Sequence, residues 1–103
     1  MVDVSRGTTI ENKGATVHTV EHVLAALAGL EIDNVLIQLN AEETPILDGS
    51  SYPFVEQLLK IGIKKLAIAR EYFEVPYNIN YQDEENGIEM VAMPLDDFRA
   101  TVM

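Results

Sequence analysis

Residues 19–30 of this chain have the sequence Thr-Val-Glu-His-Val-Leu-Ala-Ala-Leu-Ala-Gly-Leu, and this stretch decides the fold. The run from Val23 to Ala28 is wholly apolar, which predicts a helix from Val20 to Leu30 that is apolar on nearly every face. Gly29 takes a position typical of a helix C-terminal cap. A helix of this kind must be covered on several sides, so it predicts a packed domain.

Two strands are predicted before this helix, and a strand and a second helix after it. Residues 4–10 and 15–19 are rich in Val, Thr and Ile and flank a turn-forming segment, which is typical of a β-hairpin. Residues 34–40 alternate between apolar and polar side chains, which predicts a strand with one face in solvent. Pro53, followed by an apolar series that stops at Gly62, predicts the second helix.

The last third of the chain has the pattern of strands. Residues 71–83 and 88–93 flank Asn86-Gly87 and are rich in aromatic and apolar residues, which predicts a long hairpin with a tight turn. Residues 98–103 predict a further strand. Because the sequence ends inside that strand, we expect the chain to be a fragment of a longer protein.

Composition excludes several classes of function. Seventeen acidic residues against seven basic ones give a net charge of −10, which repels phosphate backbones, so no nucleic-acid partner is expected. The chain has no cysteine, so a thiol nucleophile and a thiolate metal site are excluded. No apolar run is long enough to span a bilayer and no signal-peptide pattern is visible, so we expect a cytoplasmic protein without integral membrane contact.

The residues best suited to chemistry stand at the start of the predicted helix. The two histidines of the chain, His18 and His22, are four residues apart, with Glu21 between them. On one continuous helix this spacing is the pattern of inverted-motif zinc metallopeptidases. The β-branched residues before Val20 favour a strand, however, so His18 is expected to point elsewhere. From spacing alone, the favoured interpretation of Glu21 is a first-turn acid that complements the helix dipole, and that of His22 is a surface or hydrogen-bonded imidazole rather than a metal ligand.

Two longer motifs carry a family resemblance. Residues 19–34 resemble the signature of UDP-3-O-acyl-N-acetylglucosamine deacetylases, as do residues 45–50 (Pro-Ile-Leu-Asp-Gly-Ser) followed by residues 53–55 (Pro-Phe-Val). The resemblance implies a zinc enzyme in which His22 is one of three protein ligands to the metal and Glu21 is the general base. Zinc lowers the pKa of water from 15.7 to about 7, which makes hydroxide available at neutral pH.

The same resemblance implies a fold, a reaction and partners. The fold is α+β, a two-layer helix-on-sheet unit that is part of a β-α-α-β sandwich, followed by the first strands of a second similar unit. Residues 1–66 would be the later part of the first domain, and residues 67–103 a linker and the start of the second. The substrate implied is a UDP-linked, O-acylated N-acetylglucosamine of lipid A biosynthesis, which loses its N-acetyl group.

Some features of the family have no counterpart in this sequence. The other family ligands, a His and an Asp four residues apart on a later helix, are missing, so the isolated chain is expected to be inactive and to hold an incomplete zinc site. Severed strand edges make self-association a further expectation.

Two rival functions stay open from sequence. One is the metallopeptidase that uses His18 with Glu21 and His22. The other is a non-catalytic acidic interaction domain, in which the helix docks a partner and Glu21 only caps it. Asp48, in the turn before the second helix, is expected to have a structural role rather than one in supporting the metal site.

Overall fold

The computed structural model describes residues 7–103, and the chain divides into two compact units, one ending at Lys65 and the other beginning at Leu66. The described residues form two helices and two antiparallel sheets of two strands each, which confirms the predicted α+β class. No helix in this part of the chain has the length and apolar content needed to cross a membrane. The elements in chain order are β1 (Ile10–Asn12), β2 (Ala15–Val17), α1 (Glu21–Gly29), α2 (Tyr52–Ile61), β3 (Ile79–Asp83) and β4 (Ile88–Ala92).

The first sheet is the predicted hairpin with shorter strands. β1 and β2 pair antiparallel, with Asn12 opposite Ala15. Lys13 and Gly14 form the two-residue connection, with φ of 51° and 82°. Positive φ at both central residues suits the right-handed twist of the flanking strands, and this is why such a short connection closes the hairpin. The predicted strand residues 4–6 lie outside the described residues.

α1 forms within the predicted range, but the cover expected on several of its sides is incomplete, since Leu24 is 47% exposed. Its cap is also not where the sequence places it. Gly29 is the last helical residue, and the left-handed residue beyond it is Glu31, with φ of 56°. The Ile32 N–H donates to the Leu27 carbonyl at 2.9 Å, and the Glu31 N–H donates to the Ala28 carbonyl at 3.1 Å. These are the two hydrogen bonds of a Schellman motif, which satisfy the last carbonyls of the helix. The prediction that Gly29 is the cap is therefore wrong.

α2 has the predicted bounds. Pro53 lies in its first turn, where a missing N–H costs no intrahelical hydrogen bond. The helix ends at Gly62, whose φ is 90° and whose N–H donates to the Leu58 carbonyl at 2.9 Å. Only a residue without a Cβ adopts that conformation at little cost, so the glycine fixes the end of the helix.

The buried apolar residues of the first unit centre on α1, which packs against α2. Among the described residues, Val20, Ala26 and Leu27 are the buried hydrophobic ones. Beside them an apolar groove of about 460 Å³ runs between the two helices and residues 35–38, lined in part by Leu27, Phe54 and Leu58.

The predicted strand at residues 34–40 is wrong. These residues belong to no strand, and the backbone hydrogen bonds of the described chain include none that joins them to a neighbour as a ladder. Val35, Leu36 and Ile37 remain exposed. Alternation of apolar and polar residues predicts which side chains share a face, but a strand also needs an adjacent backbone to pair with, and the described residues supply none here.

The second unit is a hairpin around the predicted turn. β3 and β4 pair antiparallel, with Asp83 opposite Ile88, and four residues connect them. Gly87 in this connection has φ of 65°. The Asp83 carboxylate accepts hydrogen bonds from the backbone N–H of Asn86 at 3.2 Å and from its side-chain amide at 2.7 Å. An acidic residue that ties down its own turn in this way explains the tight connection.

Two other strand predictions in this unit are wrong in extent. The first arm of the hairpin begins at Ile79 rather than at residue 71, and residues 98–103 form no strand. Both segments lack a paired neighbour among the described residues, and Phe98 is 89% exposed. The apolar composition of these two segments did not predict whether they pair with another strand.

Candidate metal centre

Glu21 and His22 occupy the first turn of α1, and both side chains are half-buried. The Thr8 backbone N–H donates a hydrogen bond to Glu21 Oε2 at 3.0 Å. The other carboxylate oxygen, Oε1, lies 3.4 Å from the point where a Cβ on Gly7 would stand. The carboxylate is therefore held in place by the main chain just before β1, in a space that a glycine leaves open.

The surroundings of Glu21 favour its charged form. Its own backbone amide, the Thr8 amide and, to a smaller extent, the charge of His22 lower the pKa of the Glu21 carboxyl, while partial burial opposes them. Hydrogen bonds to a carboxylate stabilise its anionic state. Glu21 is thus a deprotonated acceptor at neutral pH, which is the state that a general base requires.

His18 does not share a helix with His22. It forms an isolated bridge with Glu43, and its ring Nδ1 shares a hydrogen bond of 2.9 Å with the Thr9 hydroxyl. α1 begins only at Glu21, so the continuous helix that the inverted metallopeptidase motif needs is not formed. The expectation that His18 points elsewhere is confirmed, and the metallopeptidase alternative is contradicted.

The residue before the cap of α1 has an unusual backbone. Thr19 has φ of 59°, a left-handed conformation that β-branched residues rarely adopt. Its hydroxyl donates to Glu43 Oε1 at 2.7 Å, and its carbonyl accepts a hydrogen bond from the Thr44 hydroxyl. No role was predicted for Thr44 from the sequence. No sequence signal marks these contacts, because they join residues about 25 apart in the chain.

Asp48 organises the turn that leads into α2. Its Oδ1 accepts hydrogen bonds from the Ser50 backbone N–H at 2.9 Å and from the Ser50 hydroxyl at 2.8 Å. The Ser50 Oγ in turn accepts the Tyr52 N–H at 3.2 Å. These donors lower the pKa of the Asp48 carboxyl, and the charge of His22 lowers it slightly further. The structural role expected from sequence is confirmed by these contacts.

The donor set of this region suits a divalent cation in part. Within residues 7–103 no three His, Cys, Asp or Glu side chains are grouped as a metal site. His22 nevertheless offers an imidazole nitrogen, a ligand of the kind that zinc prefers, with the carboxylate of Glu21 beside it in the sequence. One imidazole and an adjacent base fit a zinc site whose remaining ligands come from elsewhere.

A family model and a known protein each match this chain along its whole length. The family model for UDP-3-O-acyl N-acetylglycosamine deacetylase, LpxC, matches residues 1–103. A protein of Chlorobaculum tepidum named bifunctional enzyme LpxC/FabZ is 50% identical over 103 residues, which are 100% of this chain and 22% of that protein. A Nitratidesulfovibrio vulgaris protein named UDP-3-O-acyl-N-acetylglucosamine deacetylase is 44% identical over 92 residues, which are 89% of this chain and 29% of that protein. The chain therefore spans less than a third of the length of these relatives.

Proposed function

Because this chain belongs to the UDP-3-O-acyl N-acetylglycosamine deacetylase family, we propose that it forms part of a zinc-dependent enzyme that removes the N-acetyl group from UDP-3-O-acyl-N-acetylglucosamine. In this proposal residues 1–66 are the later part of the first domain, and residues 67–103 are a linker and the start of the second. The observation that carries the proposal is the placement of Glu21 and His22 together in the first turn of α1, with the Glu21 carboxylate anchored by a main-chain amide.

His22 is the zinc ligand that this chain contributes. A catalytic zinc takes three protein ligands and keeps a fourth position open, so the other two ligands come from the rest of the protein. When bound, the metal supplies a water of lowered pKa and polarises the carbonyl to be attacked. Rigid support of the ligand comes from its position on a helix that is packed through Ala26 and Leu27.

Glu21 is the general base. Its carboxylate accepts a proton from the attacking water as the new C–O bond forms at the acetyl carbon. The C–N bond then breaks as the sugar nitrogen takes up the proton that Glu21 accepted, so Glu21 returns to its carboxylate form. The products are the amine of the sugar and acetic acid, which ionises to acetate. The Thr8 N–H holds one carboxylate oxygen at 3.0 Å, so the orientation of the base is set before substrate arrives. Preorganisation of this kind avoids reorganisation at the moment of proton transfer.

The partner proposed for the site is a small molecule, the UDP-linked acylated sugar. Both relatives described above carry the deacetylase or the combined enzyme in their names. The net charge of −10 argues against an additional nucleic-acid partner. Self-association of the isolated chain through unpaired strand edges remains a prediction, and sedimentation that is monomeric at every concentration would contradict it.

The test compares two variants, His22→Ala and, as its matched control, His18→Ala. In the full-length enzyme we expect His22→Ala to abolish stoichiometric zinc after the metal is stripped and restored, and to abolish deacetylation. His18→Ala should retain both, since that ring contacts Thr9 rather than the metal region. Zinc is measured by elemental analysis and activity by release of acetate. A His22→Ala protein that keeps one bound zinc per chain would overturn the proposal.

A further inference from the structure

We propose that Thr44 is a positioning residue for the Glu21–His22 pair, acting through the backbone of Thr19. This inference rests on the proposed function of the pair and adds a residue to its machinery. Thr44 is a polar residue that is only 3% exposed, and its hydroxyl donates to the Thr19 carbonyl. A buried hydroxyl that makes a defined hydrogen bond is placed by the fold and not by solvent.

The conformation of Thr19 needs external support. A left-handed φ of 59° is disfavoured for a β-branched residue and persists only where the surroundings fix it. Three further hydrogen bonds link this part of the chain to residues 42–44. The His18 N–H donates to the Glu42 carbonyl at 2.8 Å, the Thr44 N–H donates to the His18 carbonyl at 3.2 Å, and the Thr19 hydroxyl donates to Glu43.

Among these contacts, the hydrogen bond from the Thr44 hydroxyl to the Thr19 carbonyl is the one made by a buried side chain, so a substitution can remove it. Glu43 is exposed, so its hydrogen bond to Thr19 competes with water and contributes less. The Glu42 contact uses only backbone atoms. Thr44 is thus the buried side chain that fixes the direction in which the chain leaves Thr19.

That direction determines where the base and the ligand lie. Val20 follows Thr19 directly, is 3% exposed, and donates its N–H to the Thr8 carbonyl at 3.4 Å. The next residue, Glu21, receives the Thr8 N–H at 3.0 Å. A rotation at Thr19 would therefore lengthen the contact between Thr8 and Glu21 and move the base. A misplacement of about 1 Å in a reacting group can lower turnover by roughly 100-fold.

The test uses Thr44→Val, which keeps the shape and removes the hydroxyl, and Thr44→Ser, which keeps the hydroxyl. In the full-length enzyme we expect Thr44→Val to lower kcat by about 10-fold to 100-fold with KM within about threefold, and Thr44→Ser to stay within about threefold of wild type. Thr16→Val, on β2, is the matched control and should leave turnover unchanged.

A readout that does not depend on activity is the amide resonance of Thr8 in protein labelled with ¹⁵N-threonine and free of metal. The resonance should shift in Thr44→Val, because the hydrogen bond to Glu21 lengthens, and should stay in place in Thr44→Ser. The double variant Thr44→Val with Thr19→Gly should recover part of the turnover, since glycine adopts a positive φ without support. If Thr44 acted through packing alone, Thr19→Gly would not restore turnover to Thr44→Val.

Each outcome decides one question. Thr44→Val with wild-type kcat and an unmoved Thr8 amide overturns the inference and leaves the proposed function intact. If the wild-type enzyme neither binds zinc nor deacetylates, the proposed function is overturned. A Thr8 amide that shifts in Thr44→Val then still supports the link from Thr44 to Glu21. If Thr44→Val does not fold, either of two results overturns the inference. One is a loss of turnover in Thr44→Ser, and the other is a double variant, Thr44→Val with Thr19→Gly, that folds but is inactive.

Discussion

Replacing Glu21 by glutamine should separate its proposed role as a base from its role in the fold. The amide oxygen of glutamine accepts the Thr8 N–H as the carboxylate does, at a heavy-atom distance that is 3.0 Å in the wild type. The space over Gly7 accommodates an amide of the same size. The position of the side chain is therefore kept and only its ability to take a proton is lost. General base catalysis contributes typically 10²-fold to 10⁴-fold, so kcat should fall by that factor.

Glu21→Asp should lower kcat through geometry instead. The side chain is shorter by one carbon–carbon bond, about 1.5 Å, so the 3.0 Å contact with Thr8 would exceed hydrogen-bond range if the carboxylate stayed directed at that amide. A base displaced by about 1 Å costs on the order of 10²-fold. Glu11→Gln, an exposed acid on β1, is the charge-matched control and should be neutral.

The assay is acetate release by the full-length enzyme, with zinc content measured on the same samples. Both Glu21 variants should keep stoichiometric zinc, because His22 is unchanged. A Glu21→Gln enzyme that retains more than about a tenth of wild-type kcat would refute the assignment of the base and would favour the acidic interaction domain. Loss of zinc from Glu21→Gln would show instead that this carboxylate ligates the metal.

Three further predictions concern stability and access to the base. Leu27→Ala should lower the free energy of unfolding by about 2–3 kcal/mol and Leu59→Ala by under about 1 kcal/mol in urea titrations, since these side chains are 7% and 60% exposed. Hydrogen bonds from the side-chain and main-chain amides of its turn lower the pKa of Asp83. Its contribution to hairpin stability should be complete above the pKa of the unfolded carboxyl and be lost as pH falls through the lower folded pKa, which amide exchange measured against pH will check. Gly7→Ala should retain kcat, because its Cβ would lie 3.4 Å from Glu21 Oε1, whereas the larger Gly7→Val should lower kcat by on the order of 10²-fold in the same acetate assay.

Local signals in the sequence predicted local structure well. The ends of α2 follow from Pro53, whose ring fixes φ, and from Gly62, which adopts a positive φ at little cost. Neither effect needs help from distant residues. The connection at Lys13-Gly14 closes the first hairpin for the same reason. At the end of α1 the same reasoning failed, since Glu31 adopts the left-handed position and the hydrogen bonds of the Schellman motif offset its cost.

Features that depend on distant parts of the chain were not predictable. The alternation in residues 34–40 correctly marks a segment with an apolar face, but strand formation depends on a partner backbone. In the candidate metal centre, Glu21 and His22 were chosen from a family motif, and their roles stay predictions. The support of that centre by Thr44 depends on a buried contact across about 25 residues, which no local pattern encodes.

The anchor of Glu21 is a main-chain amide, and this affects how natural variation and mutational scans should be interpreted. Every amino acid except proline carries that donor, so nearly all substitutions at position 8 leave it available. A saturation screen would score position 8 as tolerant although the atom that orients the Glu21 carboxylate belongs to it. Substitutions at such a position have little effect, because the conformation of the backbone, and not the side chain, places the Glu21 carboxylate.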